Sequence, residues 1–122
     1  MIDHFEIKVA NFDECVKFYT AVLKPLGIEL KWSDAGAAGF GALHDHEQVL
    51  FLIEKGESSP RIHLAFQAAD QEAVRAFHEA GVSNKYQSNG EPGFRENYSP
   101  GYYAAFLLDP DQNNIEAVVR MG

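Results

Sequence analysis

Two histidines and one glutamate, far apart in the chain, could together bind a divalent metal ion. His4 lies in "DHFEIKVAN", His63 in "RIHLAFQAAD", and Glu116 stands between apolar residues in "NIEAVVR". Neutral imidazoles donate to ions such as Zn, Ni, Co or Fe(II), and a carboxylate supplies negative charge. Three protein ligands leave coordination positions open for water or substrate. The three residues therefore form a candidate catalytic metal site.

Each of these residues also has a purely structural interpretation. Most histidines in proteins are structural, so His4 and His63 could be partly buried groups that hydrogen-bond to their neighbours. Glu116 could be an exposed carboxylate on one face of a strand. The metal interpretation is favoured by an internal repeat, because the two histidines occupy the same place in each copy.

The repeat indicates which elements position these side chains. When His4 is laid over His63, Asn11 falls on Asp70, so two predicted helix caps coincide. Each copy reads as a strand, a helix and about three more strands. Two such units, each too small to bury a sheet face alone, are predicted to pack together around a cavity.

The pattern also predicts where the units begin and end. One domain is expected over residues 1–122, made of modules at about 1–58 and 59–122. Gly81 is predicted to stand just past the end of the second helix. The stretch "YQSNGEPGFRENYSPG" is predicted to be a long polar loop, which in a compact domain is more often functional than idle.

Strand alternation predicts that the three candidate ligands share one side of the sheet. In each of the three strands, the apolar residues alternate with the candidate ligand and are expected to face the helix. His4, His63 and Glu116 then point to the opposite side. If the two modules close that side into a cup, the three side chains can converge.

Composition excludes several classes of function. The chain has 122 residues, of which 46% are hydrophobic and 23% charged, and its net charge is −8. This charge argues against nucleic acid or an anionic membrane as a partner. Cys15 is the single cysteine, so no internal disulfide is expected and a reducing cytoplasm fits. Neither a signal peptide nor a membrane-spanning segment is predicted, since no apolar run approaches about 20 residues.

Two segments carry a resemblance to a known family. "DHFEIKVANFDECVKFYTAVLKPLG" and "GYYAAFLLDPDQNNIEAV" resemble the vicinal oxygen chelate superfamily, which includes glyoxalase I, bleomycin and fosfomycin resistance proteins and extradiol dioxygenases. The second segment is similar to the signature D-P-D-G-N-x-I-E, with Gln112 in place of its glycine. The resemblance implies an α+β fold in which two βαβββ modules form a cup-shaped mixed sheet with helices on the outer face, usually in a homodimer.

The resemblance also implies roles for individual residues. His4, His63 and Glu116 fall on the positions of the metal ligands, and the ion would be Zn, Ni, Mn or Fe. Glu116 would also be the catalytic base. Phe51 is the best match for a further carboxylate ligand found in glyoxalase I enzymes, and it is placed in the substrate site. Glu6, on the strand face of His4, is a substitute for that missing carboxylate.

The loop "EPGFRENYSPGYY" offers side chains for substrate binding. Arg95 could pair with a substrate carboxylate through two parallel hydrogen bonds. Tyr98 and Tyr102 could stack on a ligand or hydrogen-bond to it. The alternative is that these residues only pack against the rim of the cup. Three further histidines are predicted to lie on the surface: His44, His46 and His78.

Four functions fit these observations. The first is a metal-dependent lyase or isomerase of the glyoxalase I type that acts on an oxygen-bearing small molecule, with glutathione or another thiol as co-substrate. The second is a non-catalytic protein of the bleomycin resistance type that sequesters a ligand. A small Fe(II) dioxygenase is allowed by the ligand set but disfavoured by the chain length. The fourth is thiol transfer to an epoxide antibiotic, but the sequence shows no dedicated potassium or phosphonate loop for it.

Overall fold

The computed structural model describes residues 1–45 and 48–121, so the predicted surface residue His46 lies outside the described residues. The chain order is β1 (Phe5–Val9), α1 (Phe12–Leu23), a 3₁₀ turn (Lys24–Leu26), β2 (Ile28–Ser33), β3 (Ala37–Ala42), β4 (Phe51–Lys55), β5 (His63–Gln67), α2 (Gln71–Ser83), β6 (Gln87–Phe94), β7 (Tyr102–Leu108) and β8 (Asn114–Arg120). In the described part of the chain, no helix has the length and apolarity to cross a bilayer.

Each module forms its own four-stranded mixed sheet. The strand orders are β1-β4-β3-β2 and β5-β8-β7-β6. In both sheets the first strand of the module pairs in parallel with the last, and the other neighbours are antiparallel. The predicted α+β fold with two βαβββ modules is confirmed, and the common strand order explains the repeat in the sequence.

Strand β6 occupies part of the stretch that was predicted to be a loop, so that prediction is wrong. The strand contains Gly90, Pro92 and Gly93, which are all unfavourable inside a sheet. It lies at the edge of its sheet, where one side needs no partner strand. Its pairing with β7 shifts register between Ser88 and Gly93. An irregular edge strand therefore tolerates residues that a central strand would exclude.

The second helix begins where the sequence predicts but ends later. Asp70 caps α2, and its carboxylate accepts a hydrogen bond from the Ala73 amide at 2.8 Å. The predicted end at Gly81 is wrong, because the helix continues to Ser83. A Cβ atom at position 81 would lie 2.5 Å from Cδ1 of Leu107. The glycine is required because α2 packs closely on β7 at this point.

Three side chains outside the candidate site have clear environments. His44 is exposed, as predicted. His78 is buried, and its Nε2 lies 2.7 Å from Oγ of Ser88, so its predicted surface position is wrong. Burial lowers the pKa of His78. Burial also raises the pKa of the Cys15 thiol, with further contributions from nearby carboxylates, so this cysteine is an unreactive part of the core.

One hydrophobic core is shared by the two modules. The helices α1 and α2 contact each other, and both sheets direct apolar side chains towards them. The Phe66 ring of β5 lies 6.3 Å from the ring of Phe5 and 5.8 Å from that of Phe51, measured between centroids. We call the side of each sheet that turns away from this core its open face. The two open faces therefore point outwards rather than towards each other.

The turn at residues 109–113 joins the second module to the first helix. Asn11 is the N-cap residue of α1, but its side chain makes no capping bond. The carboxylate of Asp111 instead accepts hydrogen bonds from the amides of Ala10 at 2.8 Å and Asn11 at 2.9 Å, and from the hydroxyl of Ser58. Gln112 has a φ of 71°, the left-handed conformation that explains a glycine in the signature.

We expect Asp111→Asn to lower the free energy of unfolding by about 1–2 kcal/mol at pH 7, because an amide keeps one acceptor and turns its NH₂ towards the other donors. Burial raises the pKa of Asp111, but hydrogen bonds from Ser58, Ala10 and Asn11 outweigh it and hold that pKa below its usual range. The folded carboxyl thus has the lower pKa, so its stabilisation is present at neutral pH and is lost as the pH falls through that pKa.

The measurement is urea unfolding of both proteins between pH 7 and pH 3, with the exposed Asp13→Asn as the control. The difference in the free energy of unfolding between Asp111→Asn and the parent should become smaller as the pH falls. The control should have nearly the same free energy of unfolding as the parent at each pH. A difference in the free energy of unfolding that is the same at both ends of this range would contradict a stabilising role for the ionised carboxylate.

Candidate functional site

Glu116 is a buried carboxylate on the open face of the second sheet. Only 1% of the residue is exposed, and its strand runs between β5 and β7, where Ala65 and Phe106 are its register partners. Nε2 of His63 lies 2.6 Å from its Oε1, and the hydroxyl of Tyr102 donates to its Oε2. The structure therefore brings together two of the three predicted metal ligands and one predicted substrate-binding tyrosine.

Tyr102 is held as a hydrogen-bond donor to this carboxylate. Burial and the hydrogen bond to Glu116 raise the pKa of Tyr102 to about 12, so the phenol keeps its proton at neutral pH. The Tyr98 ring packs edge-on against it at 5.1 Å between centroids, and the guanidinium carbon of Arg120 lies 4.9 Å from its ring. These contacts fix the direction in which the hydroxyl points.

A pocket of about 220 Å³ opens beside the pair formed by His63 and Glu116. Its lining residues are Asn89, Arg95, Tyr98, Phe106 and Asn114. The Phe106 ring lies 6.1 Å from the imidazole of His63, measured between centroids, so the pocket adjoins the candidate metal ligands. Arg95 and Tyr98 were predicted to bind substrate, and both line this pocket.

Sequence reasoning missed the two asparagines of the pocket. Asn114 stands two positions before Glu116 on β8, so strand alternation could have placed it on the open face. The side-chain amide of Asn89 donates a hydrogen bond to Oδ1 of Asn114 at 3.1 Å. Asn89 could not have been found in the same way, because its strand was taken for a loop.

His4 does not join His63 and Glu116 within one chain. Its Nδ1 lies 2.7 Å from Oδ1 of Asp3, and 55% of its side chain is exposed. Across residues 1–45 and 48–121 there is no group of three or more His, Cys, Asp or Glu side chains placed to hold a metal ion. The reason is the shared core, which turns the open faces of the two modules away from each other.

Residues 1–117 match the family model described as Glyoxalase/Bleomycin resistance protein/Dioxygenase superfamily. The chain belongs to this superfamily. Members of the superfamily typically use divalent metal ions, bind small molecules and often form dimers. No curated protein matches the chain.

Solved structures of the superfamily share the fold. A glyoxalase/bleomycin resistance protein from Albidiferax ferrireducens T118 is 30% identical, with a TM-score of 0.79 and 99% of each chain covered. A lactoylglutathione lyase from Agrobacterium tumefaciens is 16% identical, with a TM-score of 0.70 and coverage of 97% of this chain and 92% of that one. A glyoxalase I variant from Zea mays is 20% identical, with a TM-score of 0.71 and coverage of 99% and 45%.

The placement of Phe51 in the substrate site is wrong. Phe51 is fully buried on the helix side of β4, where its ring packs 4.9 Å from that of Tyr19. Glu6 pairs with Leu52 just as Ala65 of the second module pairs with Glu116. Leu52 is therefore the first-module position on the open face that corresponds to the superfamily's carboxylate ligand, and it carries no carboxylate either.

The open face of the first module presents an exposed tryptophan. Trp32 is 41% exposed, and its indole lies over Gly39, where a Cβ atom would be 2.6 Å from Nε1. Glu6 and Leu52 lie on the same face, on β1 and β4. His4 stands immediately before β1, at the edge of this face.

The donor set of one chain suits part of a metal site. An imidazole and a carboxylate are donors for the divalent ions that the superfamily uses. A buried carboxylate is costly unless hydrogen bonds or a positive charge compensate it, and His63 and Tyr102 make those contacts to Glu116. His63 and Glu116 therefore fit as two ligands, and the third must come from outside their module.

Proposed function

We propose that the protein is a metal-dependent lyase or isomerase of the glyoxalase I type that acts on an oxygen-bearing small molecule. The observation that carries this proposal is the buried Glu116 carboxylate, bonded on one oxygen to His63 and on the other to Tyr102 beside an open pocket. Such a group is expensive to bury and is kept where a site needs negative charge.

A second copy of the chain would complete the site. His63 and Glu116 of one copy and His4 of the other would hold a Zn, Ni, Mn or Fe ion, which would polarise a carbonyl or enediolate oxygen of the substrate. Support comes from the outward direction of both open faces, which leaves each half-site free to meet its counterpart. The homodimer and a cytoplasmic location stay predictions.

Residues of this chain would then move the proton. Glu116 would take a proton from a carbon next to a carbonyl and return it to the neighbouring carbon. Tyr102 would hold the carboxylate in position through its hydrogen bond. Glu6 is the open-face carboxylate that could replace the ligand missing at Leu52. A thiol such as glutathione as co-substrate is supported by the resemblance and by the solved lactoylglutathione lyase among the structural neighbours.

The test is to measure bound metal and metal affinity for the purified chain and for His63→Ala, with His44→Ala as the control for an exposed histidine. The parent and the control should bind about one ion per chain. The affinity of His63→Ala should fall by a factor of about 100 or more, because one of three ligands is gone. Isomerisation of a hemithioacetal should follow the bound metal. An equal affinity in all three proteins would refute the proposed centre.

Ligand sequestration without catalysis is the second candidate. It is supported by the presence of only two metal donors together in the described part of one chain and by exposed aromatic residues, Trp32 and Tyr98, on the open faces. Under this function, the purified protein would bind an aromatic ligand tightly, hold no metal and leave the hemithioacetal unchanged.

A further inference from the structure

The guanidinium of Arg95 is held in a fixed position on the open face of the second module. Its Nη2 donates to the carbonyl oxygen of Glu91 at 2.8 Å, and its carbon atom lies 5.4 Å from the centroid of the Phe106 ring. Gly90 and Gly93 make room for it, since a Cβ atom at either position would lie 3.2 Å from one of its terminal nitrogens. The edge strand is thus shaped around this side chain.

No acidic side chain in the described part of the chain forms an ion pair with Arg95. The chain carries 18 acidic and 10 basic residues, so acidic partners are abundant elsewhere. An arginine that is oriented by its surroundings and lacks a counter-ion is suited to bind an anion with two oxygens.

The pocket beside Arg95 is built to receive such an anion. None of its five lining residues is acidic, and two of them, Asn89 and Asn114, are carboxamides that can donate hydrogen bonds without adding charge. The hydrogen bond between the two amides fixes their relative orientation. A volume of about 220 Å³ is large enough for a small carboxylate-bearing group.

The pocket is also close to the proposed reacting centre. The guanidinium of Arg95 and the imidazole of His63 both lie against the Phe106 ring, at 5.4 Å and 6.1 Å from its centroid. Asn114 pairs directly with His63 across the parallel strands β5 and β8. A ligand in this pocket therefore lies next to the strand position that carries His63.

We propose that Arg95, Asn89 and Asn114 bind a carboxylate of the substrate, so that the substrate is a short oxo or hydroxy carboxylic acid rather than a neutral carbonyl compound. This assignment rests on the proposed function for the identity of the reacting centre. The binding of the carboxylate, however, depends only on residues of the second module, and it can be measured without metal.

The test compares 4-oxopentanoate with its uncharged counterpart 4-oxopentanamide, titrated into the chelator-treated protein by NMR. The acid should bind about tenfold or more tightly than the amide, since only it can form charge-assisted bonds to the guanidinium. Arg95→Gln should abolish the preference and Arg95→Lys should keep part of it. Arg75→Gln, which alters an exposed arginine of α2, should keep all of it.

A second variant keeps the proposal testable if Arg95→Gln does not fold. Asn114→Asp keeps the acceptor for Asn89 but adds a negative charge to the pocket, so it should weaken the binding of the acid by a larger factor than the binding of the amide. The proposal is overturned if the parent binds acid and amide equally or binds neither, or if the preference survives Arg95→Gln. A separate titration of Zn or Ni into the same proteins distinguishes this outcome from failure of the metal centre, because Arg95→Gln should leave metal binding intact.

Discussion

Mixing the His4→Ala variant with the His63→Ala variant is expected to restore metal binding that each variant has lost alone. If a site combines His4 of one copy with His63 and Glu116 of the other, a mixed dimer contains one site in which all three ligands are intact. Random exchange of subunits makes about half of the dimers mixed, so about a quarter of the sites should recover. A cup closed within one chain predicts no recovery, because every chain carries a defect.

The experiment has a matched control in the second module. A mixture of His63→Ala with Glu116→Gln should recover nothing, because both changes affect the same half-site and each site of a mixed dimer keeps one of them. The two variants of a pair would be unfolded, combined and refolded, and metal binding would be titrated with Zn or Ni. Recovery in the control pair as well, or in neither pair, would show that the site is not divided between two copies as proposed.

Replacing Asp109 with alanine is expected to lower the free energy of unfolding by about 3–4 kcal/mol, because buried donors would lose their acceptor. The Asp109 carboxylate is 1% exposed and accepts hydrogen bonds from the Tyr19 hydroxyl, from the Asp111 amide at 2.8 Å, and from the amide and the side chain of Asn113, both at 2.9 Å. The removal of one group thus affects the turn and helix α1 together.

Tyr19→Phe is the natural comparison, since it removes one donor and leaves the acceptor with its other partners. Tyr19→Phe should lower the free energy of unfolding by about 1–2 kcal/mol. Thermal unfolding would separate the two variants, because 3–4 kcal/mol corresponds to a drop of about 10 °C or more in a domain of this size. Equal losses for the two variants would mean that the backbone donors find water when the carboxylate is removed.

Alternation in the sequence was sufficient to predict which face of the sheet carries Glu116 and His63. Ile115 and Ala117 flank Glu116 and are buried on the helix side, so the carboxylate had to lie on the opposite face. The same reasoning failed at β4, where "VLFLIE" is apolar at almost every position and therefore does not distinguish the faces. Only the pairing of Phe5 with Phe51 shows that Leu52 faces outwards.

The relation between the modules could not be predicted from local patterns. Each strand indicates which of its own faces is buried, but not whether two open faces meet inside one chain. Here the rings of Phe5, Phe51 and Phe66 pack together in the shared core, and this contact decides that His4 and His63 point apart. The Arg95 pocket was partly predictable from residue type, but its shape depends on a bulged strand that contains glycine and proline where a loop was expected.

The hydrogen bonds from the amides of Ala10 and Asn11 to Asp111 have a consequence for recombination between relatives. In a chimaera that takes its first half from one parent and its second half from another, the carboxylate and the two amides that it binds come from different proteins. Such hybrids should be viable only when the parents agree on the length and geometry of the segment after β7. Although the two modules share a repeat in their sequence, the two halves of a functional chimaera must therefore be compatible at this contact.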